Sequence, residues 1–189
     1  MVPLAAATKT LLIVGDSLSA GYGIAVDAGW VAQLQQRLNT EQRPYRIVNA
    51  SISGDTTANG LARLPKLLAV YHPQLVIIEL GGNDGLRALS LADMKHNIET
   101  MIAKARLAGA HVLLIGIRLP PNYGKLYTEK FRRVYEDIAK TQQIPWVPFL
   151  LEGVAAHPAL MQPDGLHPNA AGQGKVLGNV WTVLAPLLP

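Results

Sequence analysis

Short, nearly continuous apolar runs, separated by longer amphipathic segments, are the feature that most constrains the fold of this chain. A strand covered on both faces needs apolar side chains at every position, whereas a half-exposed strand alternates apolar and polar residues. The runs are therefore predicted to be buried parallel strands, and the segments between them helices. The predicted strands cover residues 10–15, 45–50, 74–80, 111–117 and 146–149. The predicted helices cover residues 28–39, 56–71, 91–108, 128–142 and 170–187.

The regular alternation of strand and helix predicts an α/β fold. We expect a three-layer α/β/α sandwich around a mostly parallel, five-stranded sheet with a flavodoxin-like arrangement. No internal repeat or linker divides the chain, so residues 10–189 are predicted to form one domain. Residues 1–9 are predicted to precede it as a disordered lead-in, an artificial addition or the remnant of a signal peptide. The sequence Ala5-Ala6-Ala7 in this segment resembles a small-residue cleavage site.

Composition and charge exclude several classes of protein. The chain has no cysteine, which excludes disulfides, a thiolate nucleophile and cysteine-ligated zinc. None of its apolar runs approaches the roughly 18 residues of a membrane span. The formal net charge is +4, but the basic residues are scattered, so nucleic acid is not an expected partner. The histidines lack metal-ligand spacing, and neither a metal nor another cofactor is expected.

A polar cluster follows four of the five predicted strands. Residues 15–17 follow the first strand, residues 49–55 the second and residues 81–84 the third. A loop with residues 164–169 comes after the fifth strand. Ligands of open parallel sheets bind beyond the carboxyl ends of the strands. We therefore expect the four clusters to lie together at one edge of the sheet.

Two functions compete for the first cluster, a phosphate cradle and a nucleophilic turn. Its glycines do not have the G-x-G-x-x-G spacing, and no G-K-[ST] follows, which argues against a phosphate site. A nucleophilic serine needs an adjacent base, and that base needs an orienting group. Asp164 and His167 lie three residues apart in one loop, close enough for a single turn to join them and present the ring to Ser17. The G-x-S-x-G elbow of α/β-hydrolases is absent.

Four blocks together resemble the SGNH (GDSL) hydrolases. They are GDSL at 15–18, Gly54, GGND at 81–84 and D-x-x-H at 164–167, in this order over nearly the whole chain. The sequences of three stretches, GDSLSAGYG, ELGGNDGLR and DGLHPN, are most similar to those of an exported bacterial branch of the family. That branch comprises multifunctional acyl-CoA thioesterases, lysophospholipases and arylesterases.

The resemblance implies a role for each matching residue. Ser17 would be the nucleophile, His167 the general acid and base, and Asp164 its orienting partner. The backbone N–H groups of Ser17 and Gly54 and the side-chain amide of Asn83 would form the oxyanion hole. The resemblance also implies a cofactor-free serine hydrolase that cleaves small-molecule acyl esters and thioesters through an acyl-serine intermediate. A periplasmic or secreted location is expected, and a monomer is favoured.

Other interpretations of the same residues stay open. Ser17 is also a typical helix N-cap, Gly54 a turn residue with positive φ, Asn83 a turn former and Asp164 the start of an Asx turn. Two other functions compete with the proposed one. The first is an esterase of the same fold that removes short acyl groups, such as acetyl, from carbohydrates, and the second is a non-catalytic ligand-binding domain.

Three further acids and two loops complete the expectations. Asp16 and Asp84 are expected to brace loops, and Glu79, in an apolar strand, is expected to be hydrogen-bonded because an unpaired buried acid is costly. The loops 85–90 and 119–127 are rich in Leu, Pro and Tyr. They are predicted either to form an apolar groove for an acyl chain or to pack on themselves.

Overall fold

The structure is a computed structural model that describes residues 8–188. Within this range five strands form one sheet: β1 (Lys9–Gly15), β2 (Tyr45–Asn49), β3 (Leu75–Glu79), β4 (His111–Ile115) and β5 (Trp146–Val147). Their order is β2-β1-β3-β4-β5, and every neighbouring pair is parallel. The predicted α/β fold and its five parallel strands are confirmed.

The central strands are buried on both faces, as their continuous apolar sequence requires. Every residue of β3 is buried, and so are the four aliphatic residues in the middle of β1. The two edge strands, β2 and β5, are less regular than the central ones. β2 is only partly buried, and β5 is two residues shorter than predicted. Pro148 follows β5 directly, and a proline has no N–H to donate to a ladder.

Seven α-helices lie within the described range. They are α1 (Ser17–Ala20), α2 (Trp30–Thr40), α3 (Thr57–Tyr71), α4 (Gly82–Leu86), α5 (Leu91–Leu107), α6 (Lys125–Gln142) and α7 (Gln173–Leu184). α3, α5 and α6 cover one face of the sheet, and α2 and α7 cover the other, so that two apolar cores flank the strands. The structure therefore has the predicted three layers. Among residues 8–188, no helix combines the length and apolarity that crossing a bilayer would require.

The apolar stripes of the long helices face the sheet, as their spacing predicts. On α5 the buried residues are Met94, Ile98, Met101, Ile102 and Ala105. The ends of the predicted helices differ by a few residues. α6 begins at Lys125 rather than at residue 128, and α7 begins at Gln173 because the three residues before it form a 3₁₀ turn.

Two short helices and the start of the domain differ from the sequence-based expectation. α1 and α4 were not among the predicted helices, because four or five residues cannot display an apolar stripe. β1 begins at Lys9, which lies inside the segment that was predicted to precede the domain. The expectation for residues 1–7 lies outside the described residues.

The strand order places a crevice at the carboxyl ends of β1 and β3. The chain leaves β1 towards β2 on one side and then crosses to β3 on the other side. In doubly wound sheets this change of direction opens the crevice in which ligands bind. α1 and α4 begin at this point, each within three residues of its strand.

Candidate active site

The turn after β1 holds Ser17 at the first position of α1. Asp16 is the N-cap of this helix, and its Oδ1 accepts a hydrogen bond from the Leu18 N–H at 3.0 Å. The interpretation of Ser17 as the N-cap is therefore wrong, and its hydroxyl is left for another partner. Gly15 is required before the turn, since a Cβ there would lie 2.7 Å from Glu79 Oε2 and 2.9 Å from Ser19 Cβ.

Ser17, His167 and Asp164 form one continuous chain of hydrogen bonds. The distance from Ser17 Oγ to His167 Nε2 is 2.9 Å, and that from His167 Nδ1 to Asp164 Oδ2 is 2.7 Å. A carboxylate at Nδ1 favours the tautomer with its proton on that nitrogen, which leaves Nε2 to accept the serine proton. The structure thus brings Ser17 into contact with a histidine that lies 150 positions away in the sequence.

Asp164 is both a turn former and the partner of the histidine ring. Its Oδ1 accepts hydrogen bonds from the backbone N–H groups of Leu166 and His167, at 2.9 and 3.0 Å. Partial burial raises the pKa of the Asp164 carboxyl, but these two N–H groups and the His167 ring outweigh that effect and bring the pKa to about 2. The Asp164 carboxyl is therefore ionised at neutral pH.

Two backbone N–H groups of the sequence-predicted site have no hydrogen-bond acceptor in the described part of the chain. Within residues 8–188, neither the Ser17 N–H nor the Gly54 N–H donates a hydrogen bond. Gly54 has a φ of 86°, which favours glycine, and its carbonyl accepts a hydrogen bond from Arg87 Nη2 at 3.0 Å. Gly54 is thus a turn residue and also a candidate donor.

Asn83 lies on α4, not in a turn, and its amide nitrogen has two acceptors. Nδ2 is 3.1 Å from Asp16 Oδ2 and 3.0 Å from the Asp55 carbonyl oxygen. Asn83 lines the same cavity as Ser17 and Gly54, the residues that carry the two backbone donors. Because both hydrogens of Nδ2 already have acceptors, a bound oxygen would share one of them in a three-centre hydrogen bond.

An apolar cavity of about 320 Å³ opens beside these groups. Its lining includes Leu86, Leu119 and Pro120 from the two predicted specificity loops. Tyr123 and Tyr127 instead donate hydrogen bonds to the backbone carbonyls of Leu86 and Gly85, so these loops both line the cavity and pack on each other.

Four residues at this site were missed by the sequence analysis. Ile117, Arg118 and Leu151 line the cavity, and the Tyr22 ring lies 4.7 Å from the His167 ring. The aliphatic residues gave no usable signal because cavity walls and protein cores have the same composition. The position of Tyr22 within the GDSLSAGYG stretch was the one available hint.

Two buried acids lie beneath the candidate nucleophile. Glu79 is fully buried, and its Oε2 accepts hydrogen bonds from the Ser19 hydroxyl at 2.6 Å and from the Asp16 N–H at 3.3 Å. Among the described residues its Oε1 has no partner. Burial raises the pKa of the Glu79 carboxyl well above its ordinary value and that of Asp16 to about 6. The third acid, Asp84, accepts hydrogen bonds from the backbone and hydroxyl of Thr57.

The family model for the GDSL-like lipase/acylhydrolase family matches residues 13–175. The chain is 57% identical to esterase TesA of Pseudomonas aeruginosa, over 97% of this chain and 91% of that protein. A crystal structure of TesA, at the same identity, superposes with a TM-score of 0.93 and covers 95% of this chain and 100% of that one. The chain is 46% identical to an arylesterase of Vibrio mimicus, with 88% and 84% coverage. It is 45% identical to thioesterase 1/protease 1/lysophospholipase L1 of Escherichia coli K12, with 97% and 87% coverage.

Proposed function

Because the chain belongs to the GDSL-like lipase/acylhydrolase family, we propose that it is an esterase and thioesterase whose nucleophile is Ser17. The observation that carries this proposal is the hydrogen-bonded chain from Asp164 through His167 to Ser17 at the wall of an apolar cavity. A non-catalytic binding domain has no need for a base that is oriented by a carboxylate and placed on a serine hydroxyl.

Acylation begins with transfer of the Ser17 proton to His167 Nε2 while Ser17 Oγ attacks the acyl carbonyl carbon. The imidazolium that forms is stabilised by the ionised Asp164 at 2.7 Å. His167 then returns the proton to the leaving alcohol or thiol, and the acyl group stays on Ser17. In the second half, His167 takes a proton from water while the water oxygen attacks the acyl carbon; the bond from that carbon to Ser17 Oγ then breaks, His167 returns the proton to Oγ, and the carboxylic acid leaves.

The negative oxygen of each tetrahedral intermediate would be held by the N–H groups of Ser17 and Gly54 and by the Asn83 amide. Donors that are held before the substrate arrives need little reorganisation as charge develops. Two observations support this assignment: the backbone N–H groups of Ser17 and Gly54 have no acceptor within residues 8–188, and Asn83 lines the same cavity as these two residues.

The substrates are proposed to be aryl esters, acyl thioesters and lysophospholipids, which share an acyl chain and differ in the leaving group. The names of the three relatives cover these classes. The apolar walls of the cavity suit the part that the substrates share, because burying a methylene group is favourable by about 0.8 kcal/mol.

A carbohydrate acetylesterase is the competing function in the same fold. An acetyl group would leave most of the apolar cavity empty, which favours a longer acyl chain. A series of 4-nitrophenyl esters from acetate to decanoate separates the two. We expect kcat/KM to rise with chain length beyond acetate, and a maximum at acetate would favour the acetylesterase.

We also propose that the protein works in the periplasm or outside the cell. The resemblance to an exported branch of the family supports this location. Expression of the natural gene with fractionation of periplasm, cytosol and medium tests it, and activity confined to the cytosol would refute it.

Covalent labelling tests the nucleophile directly. A fluorophosphonate should add once, at Ser17, as measured by intact mass and peptide mapping. Ser17→Ala should lose both the label and the esterase activity. Ser53→Ala is the matched control, because Ser53 also lines the cavity but has no histidine partner; it should be labelled at Ser17 as before. Labelling at another serine, or turnover by Ser17→Ala, would refute the proposal.

A further inference from the structure

One carboxyl group connects the turn after β1 with the helix after β3. Asp16 is 2% exposed, and its two oxygens have different partners. Oδ1 accepts the hydrogen bond of the Leu18 N–H that caps α1, and Oδ2 accepts the hydrogen bond of Asn83 Nδ2. The first contact is an ordinary helix cap, whereas the second reaches 67 residues along the chain.

The second contact determines which end of the Asn83 amide faces the other candidate donors. Nδ2 faces the Asp55 carbonyl oxygen, which can only accept a hydrogen bond. It also faces Asp16 Oδ2, which can only accept one while Asp16 is ionised. Rotating the amide by half a turn would place Oδ1 against these two oxygens, which is repulsive. The two acceptors therefore fix the amide with its donor end towards them, at the cavity that Ser17 and Gly54 also line.

Capping alone does not explain an acid at this position. Asn and Ser cap helices about as well as Asp, and neither would bring a charge into a buried site. The cost of burial is evident in the raised pKa of Asp16. The Asp16 carboxyl also lies close to the backbone of α4, since a Cβ at Gly82 would lie 3.2 Å from Asp16 Oδ2. A carboxylate differs from the other caps in offering an acceptor at both oxygens, and the second acceptor is used by Asn83.

We propose that Asp16 is a positioning residue for the reaction: its Oδ2 orients the Asn83 amide so that Nδ2 faces the developing oxyanion. This inference rests on the proposed function. Asp55 supplies the other acceptor through its backbone, and its side chain is held by Arg63 Nε at 2.8 Å. Asp16 is thus the side chain through which this orientation can be changed by mutation.

The test is a double-mutant cycle between Asp16 and Asn83. Asp16→Asn keeps the size of the side chain and can still cap Leu18 through its oxygen, but it then turns an NH₂ group towards Asn83 Nδ2. We expect Asp16→Asn to lower kcat by up to about 100-fold, as for the loss of one oxyanion donor, with little change in KM. In the Asn83→Ala background the same change should lower kcat by less than about threefold, because the amide that Asp16 orients is absent.

Asp84→Asn is the matched control. Asp84 is also buried and adjoins Asn83 in the chain, but it binds Thr57 and not the Asn83 amide. Its effect on kcat should be the same factor in both backgrounds. Urea unfolding of every variant separates a loss of folded protein from a loss of rate. If Asp16→Asn does not fold, Asp16→Ser replaces it, since a serine can cap Leu18 but has no second acceptor.

If Asp16→Asn lowers kcat by the same factor in the parent and in the Asn83→Ala background, the inference is overturned, since Asp16 would then act through the serine turn. An unchanged kcat in the parent background would overturn it as well, and so would failure of both Asp16 variants to fold. None of these outcomes affects the proposed function, which fails on different results, namely fluorophosphonate labelling away from Ser17 or turnover by Ser17→Ala.

Discussion

The candidate site is built from two regions that place acids near Ser17 in opposite environments. The serine floor comprises residues 15–19 together with Glu79 and residues 82–84. The histidine loop comprises residues 164–167. In the floor, burial raises the pKa of Glu79 and of Asp16. In the loop, the side chain of Asp164 is 37% exposed, and the hydrogen bonds that it accepts bring its pKa to about 2.

The difference shows how one residue type is prepared for different tasks. An acid that stabilises an imidazolium must stay charged, and it does so where backbone N–H groups and solvent surround it. An acid that stabilises a buried turn through hydrogen bonds can be uncharged over part of the pH range. The floor is stabilised by contacts between residues 60 and 67 positions apart, and the loop by contacts across two or three positions. Substitutions in the loop should therefore affect mainly the chemistry, and those in the floor should also affect stability.

The largest effect is expected in the loop, for His167→Ala. Without the base, kcat should fall by about 10⁶-fold, the loss seen when the histidine of a serine triad is removed. Steady-state ester hydrolysis measures this loss, and urea unfolding should give nearly the parent stability. A kcat close to the parent value in this variant would show that a different group is the base.

Asp164→Asn should lower kcat by about 10⁴-fold, because the amide no longer holds the ring in the reactive tautomer. Stability should fall only slightly, since the side chain is partly exposed and screened by solvent. The folded pKa of about 2 is below the ordinary value of 3.8, so the stabilisation by the carboxylate is present above pH 3.8 and is lost as the pH falls towards 2. Urea titrations of parent and variant at several pH values test this. A stability difference that persists at pH 2 would contradict the assignment.

Asn83→Ala tests the floor. The variant should lose about 10²–10³-fold in kcat with little change in KM, provided acylation limits turnover, because the donor acts mainly in the transition state. Stability should fall modestly, since two hydrogen bonds are lost at a half-buried position. If only KM rises, Asn83 binds the substrate and another group holds the oxyanion. If the variant unfolds, the residue has mainly a structural role.

The smallest effect concerns the charge of the floor. The folded pKa of Asp16, about 6, is above its ordinary value of 3.8, so its ionisation destabilises the folded protein increasingly as the pH rises from 3.8 to 6. This difference between the two pKa values corresponds to about 3 kcal/mol in free energy of unfolding. Relative to the parent, Asp16→Asn should therefore gain up to about 3 kcal/mol in free energy of unfolding between pH 4 and pH 7. A stability difference that does not change with pH would show that Asp16 has the same pKa in the folded and unfolded chains.

Much of this protein could be predicted from local sequence. The strands follow from uninterrupted apolar runs, and the long helices from the spacing of residues such as Met94 and Ile98 on α5. The pairing of Asp164 with His167 was also predictable, because a single turn brings side chains three positions apart into contact. In these cases the pattern and the contact that it implies lie within a few residues of each other.

Tertiary structure alone decided the floor and the cavity. Ile117 and Leu151 were not predicted as cavity walls, because an aliphatic side chain is chemically the same whether it faces a core or a ligand site. The short helices α1 and α4, the link from Asp16 to Asn83 and the opposite pKa shifts of Asp16 and Asp164 depend on which groups the sheet brings together. The sequence by itself determined which chemical groups stand at the ends of the strands. Their distances, burial and charge come from packing between distant segments, since electrostatic energies depend on solvent exposure and on separations that only the folded chain defines.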